Sequence, residues 1–295
     1  MLTHKEVSRL FSSKRILEIS DGDFTFLKKV AANYHSLLSD TYTPREVFEA
    51  CYKDLSRNYR GEYFFKNTVT EKILLGRHST NTATAISEFR VGKSKADCVI
   101  INGNSTCYEI KSEYDNLDRL DNQLHHYQKI FDKVYIVTSE RHIEHITKKV
   151  SPEIGIILLT KRNSLSEIRG AETNQNEIDI ATLIRSLRVG EYTEIVKLIY
   201  GSVPPCSNTE VFEICESLLK DASPVLVRSL FCKVIKKSRS VESAFVNNLP
   251  RSLLTAGISY KISKHQKTKL ILNLHKNISK DALCTTQYFE ASSLS

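Results

Sequence analysis

Between Arg60 and Thr160 the spacing of apolar residues switches repeatedly between helical and extended periods. Phe65, Val69 and Ile73, with Leu74, recur every three to four residues and predict a helix over Arg60–Leu75, ended by Gly76. Ala83–Val91 reads as a strand. Two short apolar runs follow, Cys98–Ile101 and Cys107–Ile110, flanking Asn102-Gly103, a dipeptide that favours tight hairpin turns. Leu117, Leu120, Leu124, Tyr127 and Phe131 form one stripe of a helix running to about Lys129. Lys133–Ser139 and Ile154–Thr160 are continuously apolar, as central strands covered on both faces are, and Arg141–Lys149 is a helix between them. The order helix, strand, strand, strand, helix, strand, helix, strand predicts an α/β fold with a mixed sheet flanked by helices.

The flanks are helical in pattern. Residues 1–58 contain candidate helices at Thr3–Ser13, Phe24–Ser39 and Pro44–Leu55, the last with Thr43 as N-cap and proline at the first helical position. The core region spans 59–161, and the polar stretch 162–176 reads as a linker. From 177 to 295 no strand set is evident. Ile178–Tyr200, Asn208–Leu219, Pro224–Lys237, Val241–Asn247, Pro250–Ala256 and Ser263–Lys276 predict an all-α C-terminal domain.

Composition changes this picture in two places. The formal net charge is +8, and Lys220–Lys280 holds 13 Lys and Arg against Asp221 and Glu242, so this segment alone carries +11. Such a segment suits phosphate neutralisation, and Lys233, Lys236, Lys237, Arg239, Lys261, Lys264 and Lys267 are the expected nucleic-acid contacts. The seven cysteines include no C-x-x-C pair, so they read as buried small hydrophobes rather than as a zinc set. No apolar run approaches the ~20 residues of a membrane span. The polar start MLTHKEVSRLF lacks a signal-peptide core, so no membrane partner and a cytoplasmic location are expected. Gly92-Lys93-Ser94 is no P-loop, because Ser87 stands where the preceding glycine would be and a strand, not a helix, follows.

The hairpin carries the chemistry. If its turn centres on Gly103, residues whose numbers sum to 206 pair, which sets Asp97 opposite Glu109. Glu109 and Lys111 share a face by the two-residue period of a strand. Two facing acids destabilise a sheet unless a cation lies between them. Singly, each residue has an ordinary explanation: a turn cap for Asp97, a same-face ion pair for Glu109 and Lys111.

Asp97, eleven intervening residues and Glu109-Ile110-Lys111, followed by a helix with Gln123-x-x-x-Tyr127, resemble the PD-(D/E)XK nuclease superfamily. The Q-x-x-x-Y element is similar to that of its RecB-like branch. The stretch from Tyr108 to Ser139 also resembles a widespread bacterial group of this superfamily with a helical C-terminal extension. The proline of the name is absent, since Ala96 precedes Asp97. The resemblance covers about Arg60–Thr160. It implies a restriction-endonuclease-like fold in which Mg²⁺ lies between Asp97 and Glu109 with Lys111 beside the attacking water, and Gln123 and Tyr127 next to the site. Mg²⁺ takes hard oxygen ligands, which Asp97, Glu109 and the carbonyl of Ile110 would supply, and Mn²⁺ could substitute.

A further acid is expected from the preceding helix. Glu62 and Glu71 compete for that place, since residues nine apart lie about 900° around an α-helix and face opposite sides. Glu62, at the helix start beside Gly61, is the better placed, and Glu88 is a third acid on the strand entering the hairpin. The expected function is hydrolysis of DNA phosphodiester bonds in phage defence, restriction or repair, with the helical segments available to a second copy or a partner protein. The alternative is a non-catalytic DNA-binding or protein-interaction module that keeps the fold.

Overall fold

The structure is a computed structural model that describes residues 1–76 and 82–280. These fall into two compact units, one formed by Met1–Glu71 with the chain from Glu242 on, the other by Lys72–Val241.

In the first unit the chain starts with α1 (His4–Ser8), α2 (Ser13–Asp21) and α3 (Thr25–Ala31), then a two-residue strand β1 (Thr41–Tyr42), α4 (Pro44–Asn58) and α5 (Glu62–Val69). Thr43 caps α4 as its sequence promises: its hydroxyl accepts from the Glu46 N–H, and the Glu46 carboxylate reaches back to the Thr43 N–H. α5 gives way to a π-helical turn over Thr70–Leu75. The α-helical 100° per residue does not hold through that turn, so the rule that sets Glu62 and Glu71 on opposite sides fails.

The second unit is built on a six-stranded sheet in sequential order. β2 (Thr84–Val91), β3 (Ser94–Ile101) and β4 (Ser105–Lys111) form an antiparallel meander. α6 (Leu120–Gln128) then leads to β5 (Lys133–Thr138) and α7 (Glu140–Lys149) to β6 (Gly155–Leu159). These two crossovers make β4, β5 and β6 parallel. β7 (Leu165–Arg169) closes the far edge, antiparallel to β6. The fold is thus a mixed α/β sheet flanked by helices, as the periodicities predict. β7 lies within the stretch read as a linker. It escapes the pattern because an edge strand with Ser166, Glu167 and Ile168 exposed shows no alternation.

The helices after the sheet divide differently from the sequence boundaries. α8 (Ile180–Ser186), α9 (Val189–Tyr200), α10 (Val211–Asp221) and α11 (Pro224–Ser238) belong to the sheet unit. Their Leu183, Ile195, Leu219 and Phe231 share one buried cluster with Phe89, Tyr127 and Ile136. α12 (Ser243–Asn248), α13 (Leu254–Ser259), α14 (Lys264–Leu274) and β8 (Ile278–Ser279) return to the first unit, where β8 pairs with β1. There Leu253, Leu270 and Leu274 complete the core of Phe11, Val47 and Phe48. Residues 177–280 are therefore divided between the two units: the stripes of α8–α11 are buried with the sheet, and those of α12–α14 with the N-terminal helices. Among the described residues no helix is long and apolar enough to cross a membrane.

One ion pair ties the helical layer to the sheet. Arg239, just past α11, donates from Nε and Nη2 to the two carboxylate oxygens of Glu191 in α9, at 2.7 and 2.6 Å. Its guanidinium lies 4.9 Å from the Phe89 ring centre, and its carbonyl accepts from Thr84 Oγ1 at 2.6 Å. Glu191 is held below the usual carboxylate range despite its burial, by these Arg239 bonds and the N–H of Arg188. Removing one partner of such a buried pair leaves the other charge without compensation, so Arg239→Ala should destabilise the protein by ~3 kcal/mol or more, read as a lower urea midpoint. Equal midpoints for the variant and wild type would contradict this role.

Candidate active site

The hairpin forms in the expected register. Gly103 takes φ 106°, a left-handed backbone that glycine adopts without strain. Cys98 pairs with Tyr108, Val99 with Cys107, Ile100 with Thr106 and Ile101 with Ser105. The described pairs stop at Cys98–Tyr108, one short of Asp97 and Glu109. Instead, the Asp97 carboxylate accepts the Ile110 N–H at 2.8 Å, so a side chain takes the place of a ladder bond. Glu109 meanwhile continues in register along β5, opposite Ile136.

α6 lies over this point because Leu120, Leu124 and Tyr127 are buried along one side. That docking brings Gln123 and Tyr127 to Glu109, whose residue exposure is 1% against 8% for Lys111. The Lys111 ammonium donates to Glu109 Oε1 at 2.9 Å and to the Gln123 side-chain oxygen at 2.8 Å. The Gln123 amide nitrogen donates to the same Glu109 oxygen at 2.6 Å. Tyr127 lies 2.8 Å from Glu109 Oε2 and 2.8 Å from the Lys95 carbonyl. One hydroxyl proton cannot serve both acceptors at once. The hydroxyl therefore donates to Glu109 Oε2 or to the Lys95 carbonyl, one at a time. Burial, and next the negative charge of Asp97, push the Glu109 carboxyl up to about 7, with Lys111 working the other way.

Glu88 stands on β2 across from Asp97. Ser87 pairs with Cys98 and Phe89 with Ala96, while Glu88 itself turns to φ 56°. A non-glycine residue in that region costs on the order of 1–3 kcal/mol. Its carboxylate meets the Lys95 ammonium at 2.8 Å and comes within 4.8 Å of an Asp97 oxygen. The other two expected acids belong to the first unit. Glu62 opens α5, exposed and paired with Lys66 at 2.7 Å, and Glu71 lies in the π-turn with Arg251 at 3.6 Å.

The expected nucleic-acid residues fall in both units. Lys233 and Lys237 are exposed on α11 of the sheet unit, with Lys236 half-buried, and Lys261 and Lys264 are exposed in the other unit. Arg239 is spent on Glu191, and Lys267 pairs with Glu242 at 2.6 Å, so neither is a free charge for phosphate. Sequence reasoning missed the Lys95 carbonyl and left His126 unplaced. His126 lies three residues after Gln123, a spacing that puts both on one side of α6 and could have drawn attention to it.

A family described as bacteriophage P4 protein cII matches residues 56–259. The chain belongs to that family. Asp97, Glu109, Lys111, Gln123 and Tyr127 all lie within the match. Protein cII of Enterobacteria phage P4 is 38% identical over 84 residues, which are 28% of this chain and 32% of that relative. The chain thus aligns with about a third of that cII protein's length. Among solved structures, the SPO1766 protein of unknown function from Silicibacter pomeroyi is similar over 41% of this chain and 82% of its own, at 15% identity and a TM-score of 0.28.

Glu109 makes the site sensitive to pH. Its carboxyl titrates higher in the folded chain, at about 7, than its ordinary value of 4.5. The folded state therefore holds this proton more tightly, and the stability that follows is complete below about 4.5 and is lost as pH rises through about 7. In thermal melts with a chelator present, the wild-type Tm should fall across this window more steeply than that of Glu109→Gln. Parallel Tm profiles for the two proteins would refute the assignment.

Proposed function

We propose that this member of the phage P4 cII family is a metal-dependent nuclease of the PD-(D/E)XK type that hydrolyses DNA phosphodiester bonds. The observation that carries this reading is the meeting of Asp97, Glu109 and Lys111 at one end of the β3–β4 hairpin, under a helix whose Gln123 and Tyr127 bond the same glutamate. The donor set suits a hard divalent cation such as Mg²⁺, with Mn²⁺ as a substitute. Two carboxylates face a single ammonium, and the Ile110 carbonyl is the neutral oxygen beside them. A bound divalent metal would neutralise charge on the phosphate and lower the pKa of a water molecule.

The chain's own residues would do the rest. Asp97 and Glu109 hold their oxygens at fixed positions, because backbone Ile110 and Tyr127 each constrain one of them. Lys111, itself oriented by Gln123, places an ammonium where it can align the attacking water or stabilise charge building on the phosphoryl oxygens. Exposed Lys233, Lys237, Lys261 and Lys264 offer charges to the DNA backbone. A cytoplasmic location and a part in phage defence, restriction or repair go with this reading.

One observation favours the non-catalytic alternative: both Glu109 oxygens already have partners within the protein, so the cluster can serve as a structural tie. Plasmid and oligonucleotide cleavage with Mg²⁺ or Mn²⁺ separates the two. Wild type should cut, while Asp97→Ala and Lys111→Ala should lose about a hundredfold or more, the scale of removing a group that stabilises transition-state charge. Salt-dependent DNA binding without turnover in any of the three proteins would replace the nuclease by a binding module.

A further inference from the structure

The turn between β2 and β3 is gripped by two successive residues of α6. Tyr127 reaches the Lys95 carbonyl, at 2.8 Å. His126 sets Nδ1 2.7 Å from Ser94 Oγ, and its ring lies close enough to Gly92 that a Cβ there would press on it. Gly92 itself takes φ 58°, so the turn is glycine-dependent for two reasons. Because Tyr127 also bonds Glu109, the turn is held at a set distance from the catalytic residues.

What the turn presents outward is cationic and rich in donors. Lys93 is exposed, and no carboxylate pairs with it among the described residues. His125 is exposed on the adjoining turn of α6. Burial, followed by the like charges of His125, Lys129 and Lys93, pushes the His126 ring below its ordinary range. When Nδ1–H donates to Ser94, the Ser94 hydroxyl keeps its own hydrogen for an anion. An immobilised hydroxyl next in sequence to an ammonium that no carboxylate pairs with among the described residues is a fitting partner for a phosphate oxygen.

We propose that Lys93 and Ser94, backed by His126, form a second phosphate station that holds a non-scissile backbone phosphate of the nucleic acid cut at Asp97, Glu109 and Lys111; the cutting, though not the phosphate contact, rests on the nuclease reading. Ser94 precedes Asp97 by three residues, about 10 Å along a strand. That is about three phosphates at an axial spacing of ~3.4 Å per strand. Contacts of this kind set the register of the substrate and carry no base information.

The test is DNA binding by the full chain in a chelator, followed by fluorescence anisotropy of a labelled duplex over a salt series. Lys93→Ala should weaken binding severalfold and reduce the salt slope by about 0.9, the share of one phosphate contact. Ser94→Ala should weaken binding without changing the slope, and two unrelated sequences should respond alike. Lys148→Ala, an exposed lysine paired with Glu144 on α7, should keep the wild-type slope. The station is overturned if the Lys93 and Ser94 variants bind like wild type. It is equally overturned if Lys148→Ala loses as much as Lys93→Ala, or if wild type does not bind DNA in the chelator. Cleavage assays on the same proteins report separately: a Lys93-dependent slope without cleavage removes the nuclease and leaves the station.

Discussion

The second unit depends on the burial of one carboxylate. Taking Glu109 out of water costs several kcal/mol unless donors meet it. Lys111, Gln123 and Tyr127 do so, and each comes from a position that a different regularity controls. Lys111 shares the face of Glu109 because strands repeat every two residues. Gln123 and Tyr127 come to it because α6 buries its Leu120–Leu124–Tyr127 side on the sheet. Displacing α6 would strand a charge in the interior, so helix docking and site geometry are one constraint. Burial, and next the charge of Asp97, lift the Glu109 carboxyl against the pull of Lys111 and Tyr127.

Asp97 contributes in another way. By accepting the Ile110 N–H it spares that amide from being orphaned where the described β3–β4 pairing ends, and one of its oxygens lies within 4.8 Å of a Glu88 oxygen. The left-handed backbone at Glu88 is paid for by the pairs on either side, Ser87 with Cys98 and Phe89 with Ala96. Strain of this sort persists where the surrounding ladder over-determines the chain.

Charge read along the chain overstated the basic surface. Thirteen cations lie between Lys220 and Lys280, a segment that passes from one unit to the other at Val241 and Glu242. Within it, Arg239 neutralises a buried glutamate, Arg228 donates to the buried Asp132 at 2.9 Å, and Lys267 covers Glu242. A cation that compensates an interior carboxylate holds the fold together and is withdrawn from solvent.

The sequence by itself determined the order of helices and strands from Arg60 to Thr160, the mixed α/β class and the hairpin register. Those follow from local rules: the Asn-Gly turn, a period of two or 3.6, and apolar runs long enough for buried strands. It also singled out Asp97, Glu109, Lys111, Gln123 and Tyr127, since same-face spacing brings the acids and the lysine together. The tertiary structure decided the rest. That α8–α11 complete the sheet unit while α12–α14 complete the N-terminal one depends on which apolar stripes meet, and stripes of equal hydrophobicity do not name their partners. The π-turn after α5 broke the helical arithmetic for Glu62 and Glu71, and β7 stayed hidden because an exposed edge strand needs no alternation. The roles of Arg239, His126 and the Lys95 carbonyl depend on contacts between distant segments, for which a linear pattern has no signal.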